Sequence, residues 1–178
     1  MFRHFQISEY TVSRGYLHTI FTGSVSHQDF GHLLPNSLAY LLFGRLIEQK
    51  FGSRKTFYLV LTASLSSILV ITLLEKYFSE SVNLITPKWN GTVPATALAI
   101  ATLIRTPMIY LNPFKLKHSF KNELFMMPMF IPVALFFMLE YYEWQLGYVE
   151  YICNKYLARP GHIAAGVGAL LFTLKYLK

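Results

Sequence analysis

The side chains best suited to chemistry in this sequence are few, and they sit beside apolar runs. His32 and Asn36 stand four positions apart, one helical turn, so a helix carries both on one face. His162 heads the stretch PGHIAAGVGALLF. There Gly161, Ala165 and Ala169, with Ala164 and Gly168, form small-xxx-small rows that let two membrane helices approach closely. His27, His32 and His162 would together supply a three-His metal site. Asp29 is the one carboxylate near enough in sequence to steady such ligands, so neither a metal nor any other cofactor is expected. Cys153 is alone, which excludes an intrachain disulfide.

Elements able to position these groups must live in a bilayer. Of 178 residues, 53% are hydrophobic and only 14% charged, far from the charge content of soluble domains. Apolar stretches at about 31–48, 56–74, 92–110, 124–140 and 161–177 predict an all-α membrane protein: a polytopic helical bundle of about five transmembrane helices, forming one domain over 1–178. A bilayer core of about 30 Å takes roughly 20 apolar residues per helix, so five spans and short loops use up the chain. The first span carries Asn36, Arg45 and Glu48, and the third is apolar only from Val93 to Ile104. Such spans are expected to be shielded by neighbouring helices. Pro128 and Pro132, both inside the fourth span, predict a kink there.

Charge separates along the chain. Ten of the sixteen basic residues fall on one side: Arg45, Lys50, Arg54, Lys55, Arg105, Lys115, Lys117, Lys121, Lys175 and Lys178, opposed by Glu48 and Glu123. The other side is near neutral, so the C-terminus is expected on the cytosolic or matrix face and the N-terminus opposite. Nucleic acid is not an expected partner, because no segment alternates basic residues with exposed aromatics. Arg54, Lys55, Lys115, Lys117 and Lys121 are either plain topology determinants or contacts for anionic phospholipid head groups such as cardiolipin. Tyr141, Tyr142, Trp144, Tyr148 and Tyr151 read as an aromatic belt at the opposite interface.

Two segments carry a family resemblance. SHQDFGHLLPNSLAYLLFGRLIEQKFGSRK contains H-x-x-x-N at His32 and Asn36, then Gly44, Leu46 or Ile47, Glu48 and Gly52. It resembles the second core helix of rhomboid proteases and the L-x-E-x-x-x-G that follows. PGHIAAGVGALLF resembles the last rhomboid helix, and SHQDFGH looks like the lead-in to the second helix in mitochondrial members. The resemblance implies that His162 matches the catalytic histidine and that His32 and Asn36 match the oxyanion site. In this chain they are also read more simply, as groups bonding to loop backbone. The family's G-x-S-G corresponds to Gly91-Thr92-Val93-Pro94, which puts Val93 at the serine position.

A valine offers no nucleophilic atom, so the chain is expected not to be an enzyme. Thr92 and Thr96 are alternative hydroxyls, and a threonine-dependent protease using either with His162 is the enzyme alternative. The first core helix of the family is also expected to be missing, and a partner subunit to cover the surface it would occupy. The resulting expectation is an inactive rhomboid-like pseudoprotease acting as an accessory subunit among other membrane-protein subunits. The setting expected is a respiratory or ATP synthase assembly of the mitochondrial inner membrane, N-terminus in the intermembrane space and C-terminus in the matrix. The competing non-enzymatic reading is a derlin-like, client-binding pseudorhomboid of the endoplasmic reticulum, although the W-R pair of derlins is absent. Asn90-Gly91-Thr92 is a glycosylation sequon that the second reading would expose to the lumen.

Overall fold

The computed structural model describes residues 4–5, 9–27, 30–78, 92–110, 126–146 and 152–178, and most of these are helical. Two short helices, α1 (Glu9–Ser13) and α2 (Thr19–Ser24), precede the longer elements. Helix α3 (Phe30–Ala39) runs through a π-helical turn at Tyr40–Gly44 into α4 (Arg45–Phe51), with the backbone right-handed helical at both joints. Gly52, at φ 85°, ends this rod by donating its N–H to the Glu48 carbonyl at 2.8 Å. An L side chain rarely adopts that φ, so a glycine at this position is what allows α5 (Ser53–Phe78) to start at once in a new direction.

After α5 come α6 (Thr92–Arg105), the strand β1 (Met108–Tyr110), the strand β2 (Met126–Pro128), α7 (Phe130–Leu146) and α8 (Ile152–Tyr176). The strands pair antiparallel, Met108 opposite Pro128 and Tyr110 opposite Met126. Two sequence expectations are corrected here. The third span does not run to 110, because Pro107 cannot continue the helix and the chain turns extended at Met108. The fourth does not begin at 124, and Pro128 kinks nothing, because it closes β2 ahead of the helix. Pro132 then falls in the first turn of α7, where a missing N–H costs no helical bond. The first, second and last expected spans extend to Phe30–Phe51, Ser53–Phe78 and Ile152–Tyr176.

Helix α6 is the centre. Its residues from Thr92 to Ala99 are all buried, and small side chains dominate, so neighbours close on it from several sides. Helix α8 lies along both α5 and α6, while α7 lies against α3, and Phe43 of the π-helical turn meets Phe136 edge to face at 6.0 Å. A Cβ at Gly161 would come within 2.5 Å of Ile71 Cδ1 and 2.9 Å of Ser67 Oγ, so the small-residue row is what seats α8 on α5. Gly161 lies against Ile71 while Gly168 lies against Thr62 and Ser66, which makes α8 antiparallel to α5.

Outward faces carry the large apolar groups. Leu65, Leu69 and Leu73 on α5, Leu135 and Met138 on α7, and Ile163, Val167 and Leu171 on α8 are all exposed. A bundle that buries Ala, Ser and Thr while exposing rows of Leu suits hydrocarbon as its solvent rather than water. The chain is an all-α helical membrane protein. Among the described residues, Ser53–Leu74 is by itself long and apolar enough to cross a bilayer, whereas Thr92–Arg105 and Phe130–Leu139 are shorter apolar stretches. At about 1.5 Å per residue α6 reaches only about 21 Å, consistent with a helix enclosed by its neighbours.

Candidate functional site

The start of α6 meets the face of α3 that carries His32 and Asn36. Asn36 is wholly buried and donates its amide to the His32 carbonyl at 2.8 Å, a one-turn bond that holds the two in register. The Asn36 amide also lies 3.4 Å from Thr92 Oγ1, and His32 Nε2 stands 2.6 Å from the same oxygen. Thr92 is 2% exposed, so its hydroxyl is a buried group that these two side chains hydrogen-bond. His27 packs edge to face on His32, centroids 5.3 Å apart. Among the described residues these histidines gather no third metal ligand.

The other positions singled out in the sequence fall nearby, outside the Asn36–His32, Asn36–Thr92 and His32–Thr92 hydrogen bonds. Val93 is 0% exposed and part of the apolar core. His162 is half-buried on α8. Gly166 lies opposite Ile100, and Arg105 reaches the Thr173 carbonyl at 2.9 Å, so α8 runs parallel to α6. Carried back along the helices, that register sets His162 level with Pro94 to Thr96 rather than with Thr92. No hydrogen bond joins His162 to Thr92, Thr96 or Asn36 among the described residues. The Thr92 hydroxyl is bonded by His32. The turn geometry of a helix shows which residues share its face, but not which loop or helix start will approach that face.

The opposite end of the bundle collects charge. Lys50, Lys55, Arg105 and Lys178 line one cleft with Phe51, Ile104 and Leu177. Of the expected head-group contacts, Lys55 is in this cleft, and Arg54 lies outside it with its guanidinium 5.9 Å from the Tyr58 ring. Lys115, Lys117 and Lys121 lie outside the described residues. So do Trp144, Tyr148 and Tyr151 as side chains, while Tyr141 and Tyr142 are exposed on α7 as an interfacial belt requires. Lys50, Arg105 and Lys178 entered the sequence reading only as topology determinants. Three separate elements bring them together, and spacing gives no sign of that.

The fold and this end-to-end arrangement define an all-α helical membrane protein with an H-x-x-x-N face closed on a helix start. The Rhomboid domain family matches residues 14–178, and the chain belongs to the rhomboid family. It is 30% identical over 91 residues to RHOMBOID-like protein 12, mitochondrial, of Arabidopsis thaliana. That alignment covers 51% of this chain and 26% of the relative, about a quarter of its length. No solved structure matches the chain.

Proposed function

We propose that the protein is a rhomboid-family member without proteolytic activity, serving as an accessory subunit of a larger membrane complex. One observation carries the proposal: the family's serine position is Val93, fully buried in the core, while the neighbouring hydroxyl, Thr92, is bonded by the side chains that the family directs at an oxyanion. Donors engaged by a protein hydroxyl are not free to stabilise a developing charge, and a buried threonine offers no approach to a peptide carbonyl. The mitochondrial name of the Arabidopsis relative, together with SHQDFGH, supports the inner mitochondrial membrane, with the basic end of the bundle on the matrix side. The rows of exposed apolar residues on α5, α7 and α8 offer helical surfaces to other membrane subunits, which favours a subunit of a respiratory or ATP synthase assembly.

A second reading has a specific observation in its favour. His32 Nε2 and Thr92 Oγ1, 2.6 Å apart, have the separation of a base and its nucleophile. Burial of that hydroxyl argues for a structural bond instead, since an unpaired polar group in the membrane interior is costly.

Gentle solubilisation of the native membrane, followed by separation by size, tests the subunit reading. Constant stoichiometry with one large energy-transducing complex is the expected result, and a mostly free pool contradicts it. Labelling by a hydroxyl-directed activity probe that is lost in Thr92→Val would overturn the claim of inactivity.

A further inference from the structure

At the basic end, three helices finish together. The last residues of α4 and α6 and the residues just after α8 line an open cleft of about 470 Å³. Helix C-termini are partially negative, so cations here have an ordinary structural use as caps. Two of the four serve that use. Arg105 donates to the Thr173 and Leu174 carbonyls at 2.9 and 3.4 Å, and the Lys50 ammonium donates to the Arg105 carbonyl. Lys55 and Lys178 are not spent this way: both are exposed, and neither makes a hydrogen bond or an ion pair among the described residues.

Like charges are also drawn together rather than spread apart. The ammonium groups of Lys50 and Lys55 lie 5.6 and 6.0 Å from the centre of one ring, Phe51. Arg105 adds its charge to the same space, and its Nε is buried without a partner among the described residues. None of the described residues lining the cleft has an acidic side chain. Repulsion among clustered cations is relieved either by spreading, which the shared ring and the helix ends oppose, or by an anion.

We infer that this cleft binds the phosphate of an anionic phospholipid, with Lys55 and Lys178 as principal contacts and Lys50 and Arg105 completing the charge. The apolar members favour a lipid over free phosphate. Phe51 and Ile104, both part-exposed, sit among the cations above the buried Leu177, where the glycerol and first acyl carbons of a lipid would cover them and a small ion would leave them bare. The position, at the ends of membrane helices on the basic side, is head-group level.

The test uses purified protein in detergent micelles doped with cardiolipin, phosphatidylglycerol or phosphatidylcholine, or supplied with inorganic phosphate, with thermal unfolding as the readout. The anionic lipids are expected to raise the midpoint in a saturable way. The double variant Lys55→Gln/Lys178→Gln should weaken their apparent affinity about twenty-five-fold, roughly five-fold for each cation lost near an anionic group. Arg54→Gln/Lys175→Gln, which removes two cations outside the cleft, should weaken it less than two-fold. Equal loss in both double variants would make the effect general surface charge and overturn the site. An equal shift from phosphatidylcholine, or from inorganic phosphate at the same concentration, would overturn the lipid head group as occupant. Since Lys55 and Lys178 make no hydrogen bond or ion pair among the described residues, the wild-type midpoint without lipid should persist in the variant. That separates lost binding from lost folding.

Discussion

The two ends of the bundle hold polar residues in opposite ways. At the α6 start, Asn36, His32 and Thr92 are turned inward and bond one another. At the α6 finish, Lys50, Lys55, Arg105 and Lys178 surround an open cleft, and half of their charge has no internal use. In a membrane an internally bonded cluster holds helices together, whereas exposed charge faces what lies outside. The contrast teaches that the position matching a family's catalytic machinery can be a structural joint, while the outward-looking chemistry lies at the far end.

Both ends depend on the seat of α8, so the largest effect belongs there. Gly168→Val should clash with Ser66 and the Thr62 backbone, costing about 3 kcal/mol, and detergent-solubilised protein should lose its cooperative thermal transition. Gly44→Ala places its Cβ 3.4 Å from Leu98 Cδ1, ordinary contact, and should cost under about 1 kcal/mol. If the two glycines behaved alike, close helix approach would not be what holds α8.

Asn36→Ala comes next, at about 2 kcal/mol, because it leaves a buried cavity and removes a donor from Thr92. Thr92→Val should cost about 1 kcal/mol, with Thr92→Ser nearer to neutral, measured as shifts in the thermal midpoint. Stabilisation by Thr92→Val would mean that the His32 bond is a strained relic rather than a joint. At the other end, Lys55→Gln should change lipid-free stability by less than about 0.5 kcal/mol, since an exposed cation outside any ion pair contributes little. A loss comparable with Asn36→Ala would erase the difference between the ends.

Much of this was legible in the sequence. Helix α5 is a long apolar run with a glycine before it, and H-x-x-x-N and the small-residue row fixed which faces of α3 and α8 turn inward. The ends of α6 and α7 were misplaced because hydropathy continued past Pro107 and across Pro128, although proline's effect on the preceding residue was there to be used. The Thr92–His32 bond was not legible. It joins residues 60 positions apart through the approach of a helix start to a helix face, and neither periodicity nor spacing encodes that distance. For the same reason the cations at 50, 55, 105 and 178 looked like scattered topology signals until the fold gathered them.

The most direct test of the central claim is cleavage of a fluorogenic transmembrane-helix substrate by the purified, lipid-reconstituted protein. The account predicts no turnover above an empty-liposome control, and the same null result for Thr92→Val, His32→Ala and His162→Ala. Turnover by the wild type that disappears in Thr92→Val or His162→Ala would contradict it and make the inward-turned cluster an active site.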